Sequence, residues 1–123
     1  MEVLIGLLVV LILFGLYRFM KTRKILTTLT EDEFRQNYRK AQLIDVREPK
    51  EYEGGHILGA RNIPLSQMRN RLIEIRKDKP VYLYCQSGTR STRAAALLNK
   101  KGYKDLNHLK GGFKKWTGKI KAK

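Results

Sequence analysis

The chain holds a single cysteine, Cys85, among its 123 residues, so no internal disulfide framework can support it. A lone thiol fits a reducing compartment, as a small buried hydrophobe or as a reactive group. Histidine is almost as scarce, and the two histidines and one cysteine match no metal-ligand spacing, so no metal site is expected. Acidic residues are short as well: 11 against 26 lysines and arginines, a formal charge of +15. Such an excess invites a nucleic-acid partner, but no stretch matches a nucleic-acid module. The excess is steepest from Lys100 onward, where nine lysines face one acid, Asp105. That pattern suits a basic surface beside an anionic lipid leaflet. Internal repeats and low-complexity tracts are both missing.

Charge is absent altogether from Val3 to Tyr17. With its flanks this apolar run covers residues 1–20, long enough to cross a hydrocarbon core of ~30 Å at ~1.5 Å per residue. A secretory signal would carry basic residues before the run and a small-residue cleavage site after it. Here Glu2 precedes the run and Arg18, Lys21, Arg23 and Lys24 follow it. The asymmetry reads as a transmembrane helix in the bilayer with its C-terminal side in the cytoplasm. Residues 21–28 then form a basic link, 29–118 a globular domain and 119–123 a basic tail.

The domain alternates strand and helix signals. Thr30-Glu31-Asp32-Glu33 is a capping box that opens a short helix with Phe34 and Tyr38 on its apolar side. Gln42 to Val46 reads as a buried strand, and Pro49 suits the first turn of a helix through Glu53. His56 to Gly59 is expected as loop, and Ala60 to Pro64 as a short strand stopped by proline. Leu65, Met68, Leu72 and Ile75 mark an amphipathic helix. Val81 to Tyr84 is apolar on both faces, as a central parallel strand would be. Ala94, Leu97 and Leu98 give the next helix its buried side, and Gly102 suits its C-cap. A last strand lies within Tyr103–Leu109, and Phe113 with Trp116 would dock a terminal helix. The fold class is α/β with a parallel sheet.

In such sheets ligands bind beyond the carboxyl ends of the strands. Asp45 and Cys85, each ending a strand, fall on that edge. After Cys85 come Gln86, Ser87, Gly88, Thr89 and Arg90, a short loop that enters a helix. Its amides can curl around one small anion, with Gly88 giving the turn its freedom. Ser87 and Thr89 add hydroxyls, and Arg90 a positive charge or a salt bridge on the helix. A thiol among amides at a helix N-terminus favours the thiolate, so Cys85 is the candidate nucleophile. A cysteine phosphatase loop needs five residues between cysteine and arginine, and this loop has four. It suits one large anionic atom, such as a sulfane sulfur, better than a phosphoryl group. Asp45 and Arg47 sit at the site edge and are expected to brace the loop through hydrogen bonds. His56 is expected to be structural, because a low-pKa thiolate needs no general base.

The chain resembles a single-domain rhodanese. The residues that carry the likeness are Leu43 to Pro49 with Glu51-Tyr52, then Gly55-His56-Ile57 with Gly59-Ala60 and Asn62-Ile63-Pro64. The loop Cys85 to Ser91 and the segment Leu109 to Gly112 with Trp116 complete it. The resemblance spans about Leu29 to Gly118 and implies a rhodanese-like fold, a small parallel sheet flanked by helices. It implies a sulfurtransferase with a persulfide on Cys85, formed from a small sulfur-containing substrate such as thiosulfate or a low-molecular-weight persulfide. The sulfur then passes to cyanide, a thiol or a protein acceptor, without a cofactor. The anchor is not part of the family pattern. The alternative is a non-catalytic rhodanese-like module that binds a partner or senses redox state.

Overall fold

A computed structural model describes residues 1–23 and 25–122, and of residues 20–23 the backbone alone. Lys24 and Lys123, placed above in the link and the tail, lie outside the described residues. The first element, α1, runs Glu2–Arg23. Its stretch Glu2–Phe19 is long and apolar enough to cross a membrane, and none of it is buried against the rest of the chain.

Part of the expected link belongs to the domain: β1, Thr27–Leu29, pairs in parallel with β6, Leu106–Leu109. The sheet is completed by β2 (Gln42–Asp45), β4 (Arg61–Asn62) and β5 (Val81–Tyr84), in the order β1-β6-β5-β2-β4. All its pairings are parallel. β5 lies at the centre with every residue buried, which its continuous apolar run requires. Side chains alternate across the sheet. Val81, Leu83 and Cys85 join Ile44, Met68, Ala94 and Leu98 on one face. Tyr82 and Tyr84 join Phe34, Tyr38 and Ile57 on the other.

The first face is covered by α4, Thr89–Lys100, which buries Ala94, Ala95 and Leu98. The second is covered by α2, Glu31–Asn37, whose capping box forms as the sequence predicts: Glu33 N–H donates to Thr30 Oγ1 and Thr30 N–H to Glu33 Oε1. Phe34 stacks on Tyr38 and meets Trp116 edge-on. Pro49 opens the short helix α3, Pro49–Glu53.

Four local expectations are corrected. The stripe Leu65–Ile75 is two tight 3-10 turns, Leu65–Asn70 and Leu72–Glu74, rather than one α-helix. Arg71 leaves helical geometry between them (φ −124°, ψ 19°), and Tyr103 Oη donates to the carbonyls of Leu72 and Ile75. Met68 and Ile75 are buried nonetheless, because 3-10 turns also return a side chain to the same face every third residue. His56–Ile57, expected as loop, is β3, antiparallel to β7, Ile120–Lys121. That pairing, set by residues far apart in the chain, also explains the third correction: the expected terminal helix stops after one 3-10 turn, Phe113–Lys115. Trp116 is extended (ψ 131°), turning the chain back toward β3. The strand read over Ala60–Pro64 narrows to Arg61–Asn62.

Candidate active site

The end of β5 carries the chain directly into the loop that holds Cys85. The loop backbone is oriented by the turn that follows β6. Phe113 N–H donates to the Cys85 carbonyl at 2.8 Å and Lys114 N–H to the Gln86 carbonyl at 3.1 Å. With those carbonyls turned outward, the later amides of the loop face inward. Two glycines make this possible. Gly88 sits at φ +119° as the N-cap of α4, a conformation that costs a side-chain-bearing residue. Gly112, at φ +67°, lies so close to the loop that a Cβ there would stand 2.6 Å from the Cys85 and Gln86 carbonyl oxygens.

Inside this frame, Gly88 N–H donates to Cys85 Sγ at 2.9 Å and Ser91 N–H at 3.4 Å. Ser91 Oγ lies 3.6 Å from the sulfur. Burial pushes the Cys85 thiol up, but bonds from the Ser91 amide and hydroxyl and the Gly88 and Ser87 amides outweigh it, and the pKa is lowered. These donors stabilise the sulfur only when it is negative, which is why their sum favours a thiolate. Ser87 and Thr89 stand exposed at the loop rim.

Arg90 is engaged by Glu51. Its Nη1 and Nη2 donate to the two carboxylate oxygens of Glu51 at 2.6 and 2.9 Å, which ties the loop to α3. The Arg90 bonds hold the Glu51 carboxyl down to about 2. Asp45 and Arg47, both buried, form a second bracket. Arg47 Nη2 donates to Asp45 Oδ2 at 2.7 Å and to the Gly55 carbonyl at 2.6 Å, while Nη1 reaches Gln86 Oε1 at 3.2 Å. Its guanidinium carbon lies 4.2 Å from the Phe113 ring centroid. Asp45 and Arg47 thus join the end of β2, the turn before β3 and the Cys85 loop. His56 stacks on Tyr52, and its Nδ1 lies 2.8 Å from the Tyr52 carbonyl.

Sequence reasoning assigns no site role to Ser91, Glu51 or His108. Ser91 is buried in the first turn of α4, with Oγ 2.8 Å from His108 Nδ1. A hydroxyl six residues after the cysteine, at the start of a helix, is a signal available in the sequence. His108 and Glu51 depend on sheet register and helix placement, which are not.

A parallel α/β sheet with a cysteine loop at its carboxyl edge, its amides turned toward the sulfur, defines the class of fold. The rhodanese-like domain family matches residues 30–119. The chain belongs to the rhodanese family. It is 62% identical to the uncharacterized protein YqhL of Bacillus subtilis, over 94% of this chain and 97% of that one. It is 36% identical to thiosulfate sulfurtransferase GlpE of Pseudomonas paraeruginosa, covering 62% of this chain and 69% of that one. A crystal structure of a rhodanese-like domain protein from Staphylococcus aureus matches with a TM-score of 0.72 at 27% identity, covering 79% of this chain and 98% of that one.

Proposed function

We propose that this protein is a membrane-anchored sulfurtransferase that carries sulfane sulfur as a persulfide on Cys85. The observation that carries the reading is the inward donor set on Cys85 Sγ, from Gly88, Ser91 and the start of α4. The similarity to a protein named as a thiosulfate sulfurtransferase supports it. In the first half-reaction the Cys85 thiolate attacks the sulfane sulfur of thiosulfate. A new sulfur–sulfur bond forms, the bond within thiosulfate breaks, and sulfite leaves with the electron pair. The terminal persulfide sulfur then bears the charge, held by the amides of the loop. In the second half-reaction an acceptor, such as cyanide, a thiolate or a protein thiolate, attacks that sulfur. Cys85 is released as thiolate, and the acceptor leaves as thiocyanate or a persulfide.

Residues 1–20 act as a single-pass anchor in the cell membrane. Basic residues Arg18, Lys21, Arg23 and Lys24 hold the following domain on the cytoplasmic side. The C-terminal lysines favour an anionic lipid surface.

Intact mass after incubation with thiosulfate tests the chemistry: a gain of one sulfur, removed by cyanide and absent in Cys85→Ser, is expected. A chain that takes sulfur from no sulfane donor overturns the reading in favour of a binding or redox-sensing module. Protease added outside intact cells tests the topology, and digestion of the domain there would reverse the orientation.

A further inference from the structure

Behind Cys85 lies a hydrogen-bonded line, buried at Ser91 and His108 and reaching the surface at Thr28, that the persulfide chemistry alone does not require. Parallel register sets Thr28 of β1 beside His108 of β6, and His108 beside Leu83 of β5. Cys85 is two residues beyond Leu83, so the sulfur and the imidazole share one face of the sheet. His108 Nε2 lies 3.0 Å from Thr28 Oγ1, and Nδ1 lies 2.8 Å from Ser91 Oγ. His108 is 8% exposed. Burial holds the imidazole below its ordinary value, so near pH 7 the neutral ring carries one N–H.

The Ser91 hydroxyl has one proton and three candidate partners: it has donor geometry to the Gly88 carbonyl at 2.9 Å, and it lies 2.8 Å from His108 Nδ1 and 3.6 Å from Cys85 Sγ. The Gly88 carbonyl also accepts from Thr92 N–H and Thr92 Oγ1 at 3.2 and 2.9 Å, so it keeps two donors when the Ser91 proton turns to the sulfur. If Nδ1 were the acceptor, the Ser91 proton would be committed to the ring and lost to the sulfur. With the proton on Nδ1, the ring donates to Ser91 Oγ, and the Ser91 hydroxyl is free for the thiolate. Thr28 Oγ1 then donates to Nε2, which completes the line.

We propose that His108 is a positioning residue for sulfur transfer: as the Nδ1–H tautomer it donates to Ser91 Oγ and turns the Ser91 hydroxyl toward Cys85 Sγ. The proposal rests on the sulfurtransferase reading, in which Cys85 is the attacking thiolate first and the leaving thiolate second. One hydrogen bond to the anionic sulfur serves both steps. The other charged groups around the thiol are the Asp45–Arg47 pair beyond β2 and the Glu51–Arg90 pair between α3 and α4. Substitution at position 108 changes neither.

The test uses the full chain in detergent micelles, with the rate of Cys85 alkylation by iodoacetamide followed against pH. In His108→Leu the apparent thiol pKa is expected to rise by about 0.5–1, roughly a three- to tenfold loss of thiolate at neutral pH. His108→Asn keeps a side-chain N–H near the position of Nδ1 and is expected to restore most of that loss. An unchanged curve in His108→Leu overturns the proposal, and so does an equal rise in both variants, which would report packing alone. If His108→Leu does not fold, nitrogen NMR of the two histidines in the wild-type chain decides. A protonated Nδ1 on His108 supports the line, and a protonated Nε2 overturns it. Sulfur loading of the wild type is read separately by mass. Its failure sinks the sulfurtransferase reading, while the alkylation curves still decide whether His108 sets the thiolate.

Discussion

Arg90 grips Glu51 with two parallel hydrogen bonds of 2.6 and 2.9 Å, so the arginine of the loop is spent on closing it against α3. The pair is about one-third exposed on each side, and solvent screens it accordingly. A bidentate pair in such a place is worth about 0.5–1 kcal/mol. Glu51→Gln should therefore lower stability by that amount near pH 7. The Glu51 carboxyl is held from an ordinary 4.5 down to about 2. Its contribution is then fully present above pH 4.5 and lost as the pH falls through about 2. Urea midpoints for the wild type and Glu51→Gln should differ at neutral pH and converge in that acid window.

The buried pair of Asp45 and Arg47 should respond far more strongly. Asp45→Ala leaves a guanidinium in the interior with its main partner gone, at a cost of about 3–5 kcal/mol. Guanidinium chloride unfolding should show that loss. A variant within about 1 kcal/mol of the wild type would mean that Arg47 finds another anion or water.

Gly112→Ala should damage the site without touching a reacting group. The added Cβ would sit 2.6 Å from the Cys85 and Gln86 carbonyl oxygens, and the backbone there is left-handed. Backbone strain of about 1–3 kcal/mol is expected. The loop must also shift away, turning its amides off the sulfur. Thermal unfolding measures the first effect, and sulfur loading of Cys85, reduced at least tenfold, the second.

The alkylation profile of the wild type should place the Cys85 half-rise below an ordinary thiol's 9.0, because the loop donors favour the thiolate. Reactivity should rise with pH through that value and level off above it. Ser91→Ala removes the hydroxyl and should move the half-rise up by about 0.5–1.

Much of this site was legible in the chain. The run Val81–Tyr84 read as a central strand, as it is, and the thiol after it therefore lies at the carboxyl edge of the sheet. Four residues between Cys85 and Arg90 set the loop one residue short of the cysteine phosphatase spacing. The role of Arg90 was less legible: its partner Glu51 lies 39 residues away, and the packing of α3 against the loop brings the two together. The 3-10 turns after Pro64 and the pairing of β3 with β7 escaped for the same reason. Tyr103 and Ile120, both distant in sequence, determine them.

Local chemistry by itself determined the uncharged N-terminal helix, the alternation of strands and helices, the place of Cys85 at the end of a strand and the length of its loop. Each follows from the identity of neighbouring residues. Tertiary structure alone decided which way the loop carbonyls point, that Arg90 faces Glu51, and that His108 lies behind Ser91. These depend on parallel register and on the close seat of Gly112 against Cys85, contacts that exist only once the sheet has assembled.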